Sequence, residues 1–416
     1  MPHKYLLSFC LLLFPIILFC QVDETNPPEY IKTINFKGET NENQLPIIRV
    51  NDEVTLEFDA LNGDEADFYY KIKYYNANWT PSVLVQSEYM EGFDNQRIRE
   101  YENSFNTFQI FSHYKLTIPN AQTRALKVSG NYMLFIYNSD SELVFSRKFM
   151  LYENNADIGV LIKRARDIAN IEEKQRVELV ISSNKIPFNN PDQTIKTVII
   201  QNNNLKTAIT NLKPQYILGK QLIYKYDTET SFWGGNEYFY FENKDVRGAN
   251  NNIQYIDLKD LYHNYLYTNI RRAFRPYTYN PDINGNYVIG NIDGSNPDIE
   301  ADYVWMHFSL AADNNLIDKK IHVYGSFNNY AIDDSTLMTY DVEKNRYTAS
   351  LLLKQGFYNY KYVVEEPNGM INEGFISGDF WQTENSYKVL VYYRHLGGRY
   401  DRIIGVSEGN SITITN

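Results

Sequence analysis

Val54-Thr55-Leu56-Glu57-Phe58-Asp59 alternates apolar and polar side chains with a period of two. Successive side chains leave a strand on opposite sides, so this is the pattern of a strand with one face on a core. Asp67 to Tyr75 repeats it, with Phe68, Tyr70, Ile72 and Tyr74 on one side. Tyr132-Met133-Leu134-Phe135-Ile136-Tyr137 and Leu143-Val144-Phe145 flank Asn138-Ser139-Asp140-Ser141, a turn composition, and read as a strand pair. Short alternating strands between turns indicate a sandwich rather than a βαβ unit, so the fold class expected is all-β.

Outward from this region the same texture continues. Thr33-Ile34-Asn35-Phe36 is a first strand, and Val177 to Ile181 and Thr197 to Gln201 are strand-like. Val160 to Glu173 is the one helix-like stretch, and Pro276 to Asp302 reads as a long loop rich in Asn, Asp, Gly and Pro. Strands are expected at Tyr303 to Phe308, Lys320 to Tyr324, Tyr347 to Leu353, Phe357 to Val364 and Tyr387 to Tyr393. The organisation expected is three consecutive β-sandwich domains, immunoglobulin-like or early-set: residues 21–155, 156–300 and 301–416. Strands that are apolar on both faces, such as Tyr303 to Phe308, speak against a lipid-facing barrel.

Residues 1–20 read as a signal peptide: Lys4 precedes an apolar run from Leu6 to Phe19, and polar sequence starts at Gln21. Cleavage after Cys20 is expected. Phe19, where a lipoprotein signal has a small residue, argues against Cys20 as a lipidated N-terminus. Both cysteines, Cys10 and Cys20, leave with the leader. The mature chain then has no disulfide, thiol nucleophile or Cys-based metal site. A Gram-negative periplasmic location fits. Across 416 residues, 40 basic against 51 acidic side chains give a charge of -11, which argues against nucleic-acid binding. With 36 Tyr, 23 Phe and 43% hydrophobic residues, there is ample material for packed cores.

No catalytic constellation is visible. His113, His263, His307, His322 and His395 lie outside any Gly-x-Ser-x-Gly, His-x-His or His-Glu-x-x-His context. Asp282-Ile283-Asn284-Gly285-Asn286 opens like a calcium loop, but its Gly comes early and no closing Glu follows, so a turn is expected. The expectation is no enzyme, no metal and no cofactor. In Ser231-Phe232-Trp233-Gly234-Gly235-Asn236, two large aromatics stand beside a diglycine. Phe232 and Trp233 are the candidate binding residues; the competing reading makes Trp233 a core cap and the glycines a turn.

Val323-Tyr324-Gly325-Ser326-Phe327-Asn328-Asn329-Tyr330 and Lys354-Gln355-Gly356-Phe357-Tyr358-Asn359-Tyr360-Lys361-Tyr362 resemble the early-set sandwich of glycogen- and starch-binding modules. Tyr330 stands where such modules carry a Trp. A periplasmic carbohydrate-binding protein is therefore the alternative functional reading.

Ordered motifs along the mature chain carry a wider resemblance. They are Tyr75-Asn76-Ala77-Asn78-Trp79-Thr80-Pro81-Ser82, Glu88 to Phe93, Ser104 to Thr107, His113-Tyr114 and Pro119-Asn120. Then come Gln201-Asn202, Gly234 to Glu237, Arg275-Pro276-Tyr277, Ala301 to Val304, Lys354-Gln355-Gly356, Tyr392-Tyr393-Arg394 and Arg399 to Gly405. Together they resemble a family of the Bacteroidota that includes the plug of the type IX secretion system. The resemblance implies a non-enzymatic periplasmic protein at the inner face of the outer membrane. Its implied partner is the large SprA-type translocon barrel, whose lumen it would seal when no substrate is present, as a monomer within that complex.

Overall fold

A computed structural model describes residues 21–39 and 44–414; the leader expected over 1–20 lies outside the described residues. Its regular structure is overwhelmingly strand, arranged as three sandwiches of mostly antiparallel sheets, and among the described residues no sheet closes into a barrel.

The first sandwich packs a four-stranded sheet (Ile31–Lys37, Val54–Ala60, Ser112–Ile118, Glu100–Asn103) over strands Tyr69–Tyr75, Gly130–Tyr137 and Leu143–Tyr152. Leu56, Phe58, Tyr70, Ile72, Leu134 and Phe149 meet in its core, as the alternation requires. Gly130–Tyr137 and Leu143–Tyr152 pair antiparallel across the expected turn. The latter three strands belong to a nine-stranded sheet that continues through Arg402–Asn410, Ser386–Tyr393, Ile195–Gln201 and Asn204–Thr210. Its far half forms the second sandwich with a sheet that includes Asp157–Arg164, Lys174–Ser182 and Gln221–Tyr224.

The third sandwich places Tyr303–Ala311, Arg346–Lys354, Tyr262–Leu266 and Ile253–Leu258 over a sheet centred on Gly356–Glu365. Sheet membership does not follow chain order across residue 300. Phe239–Glu242 and Tyr287–Ile289 pair with Gly356–Glu365, while Ser386–Tyr393 pairs with Ile195–Gln201. The chain thus passes from the second sandwich to the third and returns.

Two local expectations are corrected. Val160 to Glu173 is not helical: Asp157–Arg164 pairs antiparallel with Lys174–Ser182, and the residues between them turn the chain. Ile158, Val160 and Ile162 pack into the second core at period two, which overrides any helical bias. The stretch from Pro276 to Asp302 holds a short strand, Tyr287–Ile289, and a one-turn helix, Pro297–Glu300. The Asn-rich composition is used in turns: Asn supplies ten of the sixteen non-glycine left-handed residues among those described. Asn reaches that region at low cost because its short amide bonds locally.

Candidate functional site

Three polar seams join the sandwiches, and each is built from residues far apart in sequence. In the first, the outer face of the Val54–Ala60 and Ser112–Ile118 strands meets the third sandwich. Asp59, fully buried, accepts hydrogen bonds from Lys354 Nζ at 2.7 Å and Tyr303 OH at 2.6 Å. His113 Nδ1 lies 2.7 Å from its other oxygen. Thr33 Oγ1 completes the chain at 2.6 Å from Tyr303 OH, and the Lys354 ammonium sits 4.1 Å above the Phe111 ring. Burial pushes the Asp59 carboxyl up, but Lys354 and His113 outweigh it and hold it below the ordinary carboxylate value. Alongside, Asp302 accepts from the Phe108 and Gln109 amides at 2.8 and 3.1 Å, and its own amide donates to Gln355 Oε1 at 2.7 Å.

The second seam closes on buried Asp401. Arg394 grips both its oxygens, at 2.9 and 2.8 Å, and reaches Asn76 Oδ1 at 2.8 Å. The Ala77 amide donates to Asp401 at 2.9 Å, Lys196 Nζ lies 3.3 Å away, and Tyr74 OH donates to its backbone carbonyl. Outside it, exposed Arg399 pairs with Glu88 at 2.9 Å. The Asn76-to-Trp79 turn is thereby locked against the returning C-terminal strands.

In the third seam Asn385 donates to Gln175 Oε1 and to the Gly234 carbonyl, at 3.1 and 2.8 Å, and accepts from Asn202 Nδ2 at 2.7 Å. Nearby, Glu237 is buried and accepts from Tyr277 OH, and from the Glu384 amide at 3.2 Å. Burial pushes its carboxyl up to about 7 despite those bonds.

These contacts make a connected body. Residues 31–153 match the family model for the type 9 secretion system plug protein 1st domain. A crystal structure of a hypothetical protein from Parabacteroides merdae ATCC 43184 is similar over 94% of this chain and 100% of that one, with 32% identity and a TM-score of 0.89. This chain belongs to the type IX secretion system plug protein family. No curated protein matches it. Among the described residues, no helix is long and apolar enough to cross a membrane.

Within this plug-family chain, the two candidate binding residues part company. Phe232 is buried in the second core, edge-on to Tyr387 at 5.4 Å. Trp233 is 52% exposed, with Lys174 Nζ 4.0 Å above its ring. The diglycine is not a flexible hinge: a Cβ on Gly234 would stand 2.1 Å from the Phe380 carbonyl, and Gly235 has φ +65°.

Tyr330 is buried against Tyr324 and donates to the Asn202 carbonyl at 3.1 Å, so it offers no face for a sugar ring. Asp282 uses its oxygens on the amides of Tyr238 and Asn284, at 2.6 and 2.7 Å, as a turn residue does.

Two histidine pairings carry no signal in the sequence. His113 meets Asp59, and His263 Nδ1 lies 2.8 Å from His307 Nε2 on the outer face of the third sandwich. Tyr265 stacks on His307 at 4.1 Å, and Tyr255 stacks on Tyr265 at 4.1 Å. Only strand register, which pairs Asp59 with His113 and Tyr265 with His307, could have revealed them.

Proposed function

We propose that this protein is a non-enzymatic periplasmic plug. In this reading it binds the periplasmic opening of the type IX outer-membrane translocon barrel and seals the lumen when no substrate is passing. The observation that carries the reading beyond family membership is the continuous body. One nine-stranded sheet runs through two sandwiches, and the buried Lys354–Asp59 ion pair binds the third to the first. A plug works as a steric obstacle, and its separate domains must not swing apart. Export by a cleavable leader brings the chain to the inner face of the outer membrane, where it acts as a monomer in the complex.

Two features support a role without catalysis. The His113–Asp59 pair resembles two members of a hydrolase triad, yet His113 Nε2 has no hydroxyl partner among the described residues. Trp233 and the tyrosine-lined outer face offer the large, polar-tipped contact area that suits a reversible interface. The alternative carbohydrate-binding role loses its aromatic platform to the burial of Tyr330.

The test is deletion of the gene. Cells should admit large polar antibiotics only when the translocon barrel is present, and secretion should persist at least in part. Unchanged permeability, or equal leakage without the barrel, rejects the plug reading.

A further inference from the structure

The first seam brings three metal-ligating side chains together. Glu57, His113 and Asp298 each offer a ligand atom, all within 4.8 Å of one another. Glu57 and His113 stand on neighbouring strands of the first sandwich, and Asp298 belongs to the one-turn helix leading into the third. Glu57 and His113 are buried, at 5% and 9% exposure, while Asp298 is exposed.

His113 is oriented as a ligand. The Asp59 carboxylate pairs with the Lys354 ammonium at 2.7 Å, and a carboxylate can only accept. The proton therefore sits on His113 Nδ1, facing Asp59 at 2.7 Å. In the neutral ring this leaves Nε2 with a free lone pair. That nitrogen is buried without a hydrogen-bond partner among the described residues. A buried polar atom left unpaired costs stability, so a partner is owed to it. A carboxylate that orients a histidine through its far nitrogen is the arrangement that supports histidine ligands at metal centres.

We propose that Glu57, His113 and Asp298 form a zinc-class divalent cation site that staples the first sandwich to the third. Imidazole nitrogen with two carboxylates suits zinc better than calcium or magnesium, which take oxygen ligands. Three protein ligands leave the fourth tetrahedral position to water. Zinc–ligand distances near 2.1 Å require the three atoms to draw together, and exposed Asp298 can make that movement. Glu57 now pairs with Lys37 at 2.8 Å through Oε2, and its second oxygen remains to be offered. The site would add a metal bridge beside the Lys354–Asp59 ion pair.

The experiment uses the purified mature chain, stripped with EDTA and titrated with zinc chloride by calorimetry and by thermal melting. One zinc per chain, a zinc-dependent rise in Tm and no such rise with calcium are expected. Asp298→Asn removes an exposed ligand without disturbing the core. It should melt like the parent in EDTA, bind zinc at least 10-fold more weakly and lose the zinc-dependent rise. His113→Gln should behave likewise toward zinc. His263→Ala, which breaks the other histidine pair, should leave binding intact. The proposal is overturned if the parent binds no zinc, if Asp298→Asn binds as tightly as the parent, or if His263→Ala abolishes binding.

Discussion

Lys354 and Asp59 form an ion pair of 2.7 Å across 295 positions of sequence, with side chains 1% and 0% exposed. Neither could be buried alone, because an isolated charge loses its hydration without recompense. Lys354→Met should therefore strand Asp59 and cost about 3–5 kcal/mol, whereas Asp59→Asn with Lys354→Met should recover much of the loss. Urea denaturation of the two variants checks this. The depressed Asp59 carboxyl fixes the acid behaviour. Its contribution is present above the unfolded value near 4 and is lost as pH falls through the lower folded value. The double variant should accordingly lose less stability than the parent between pH 4 and pH 2.

Glu237 predicts the opposite slope. Its folded carboxyl titrates near 7, above the unfolded value of 4.5. Its favourable term is complete below the unfolded value and disappears as pH rises through the folded one. Glu237→Gln should stabilise the protein by about 1–2 kcal/mol at pH 8 and change little at pH 4. Equal effects at both pH values would contradict the assignment.

The aromatic pair at 232 and 233 separates by burial. Phe232→Ala should cost about 3–5 kcal/mol, because it opens a cavity beside Tyr387. Trp233→Ala should leave Tm nearly unchanged and weaken capture of the translocon barrel from outer-membrane extracts. A marked fall in Tm for Trp233→Ala would place that ring in the core instead.

The outer-face histidines give a milder pH effect. Burial, then His263, pushes His307 down to about 4. Unfolded chains take up that proton below about 6.5, so stability should fall as pH drops from 6.5 to 4. His307→Gln should flatten that part of the profile, measured by melting across the range.

The alternation of Val54 to Asp59 was legible and correctly put Leu56 and Phe58 in a core. The same alternation sends Glu57 and Asp59 to the other side, which is buried as well, at 5% and 0% exposure. Periodicity reports which side chains share a face, and it carries nothing about what docks there. The return of Ser386–Tyr393 to pair with Ile195–Gln201 has no local signal either, since both strands are ordinary alternating runs. Family motifs were readable in order, yet their meeting was not: Asn76 touches Arg394 only because two distant strands converge. Phe232 and Trp233 looked equivalent as neighbours, and strand geometry sent them to opposite faces.

The Asp401 seam offers a contrast between a buried and an exposed ion pair on the same segment. Arg394→Met removes two hydrogen bonds to a carboxylate that is 1% exposed, leaving Lys196 at 3.3 Å and the Ala77 amide. Hydrogen bonds to charged groups are the stronger kind, so the loss should be about 2 kcal/mol or more. Arg399→Met breaks the exposed pair with Glu88, where solvent screens the attraction, and should cost under about 1 kcal/mol. If the seam holds the plug body together, cells carrying Arg394→Met should also leak large polar antibiotics through the barrel as temperature rises, while Arg399→Met cells stay sealed. Stability and permeability measured side by side decide it. Leakage with undiminished stability would instead make Arg394 a contact to the barrel, and equal effects of the two variants would reject the distinction.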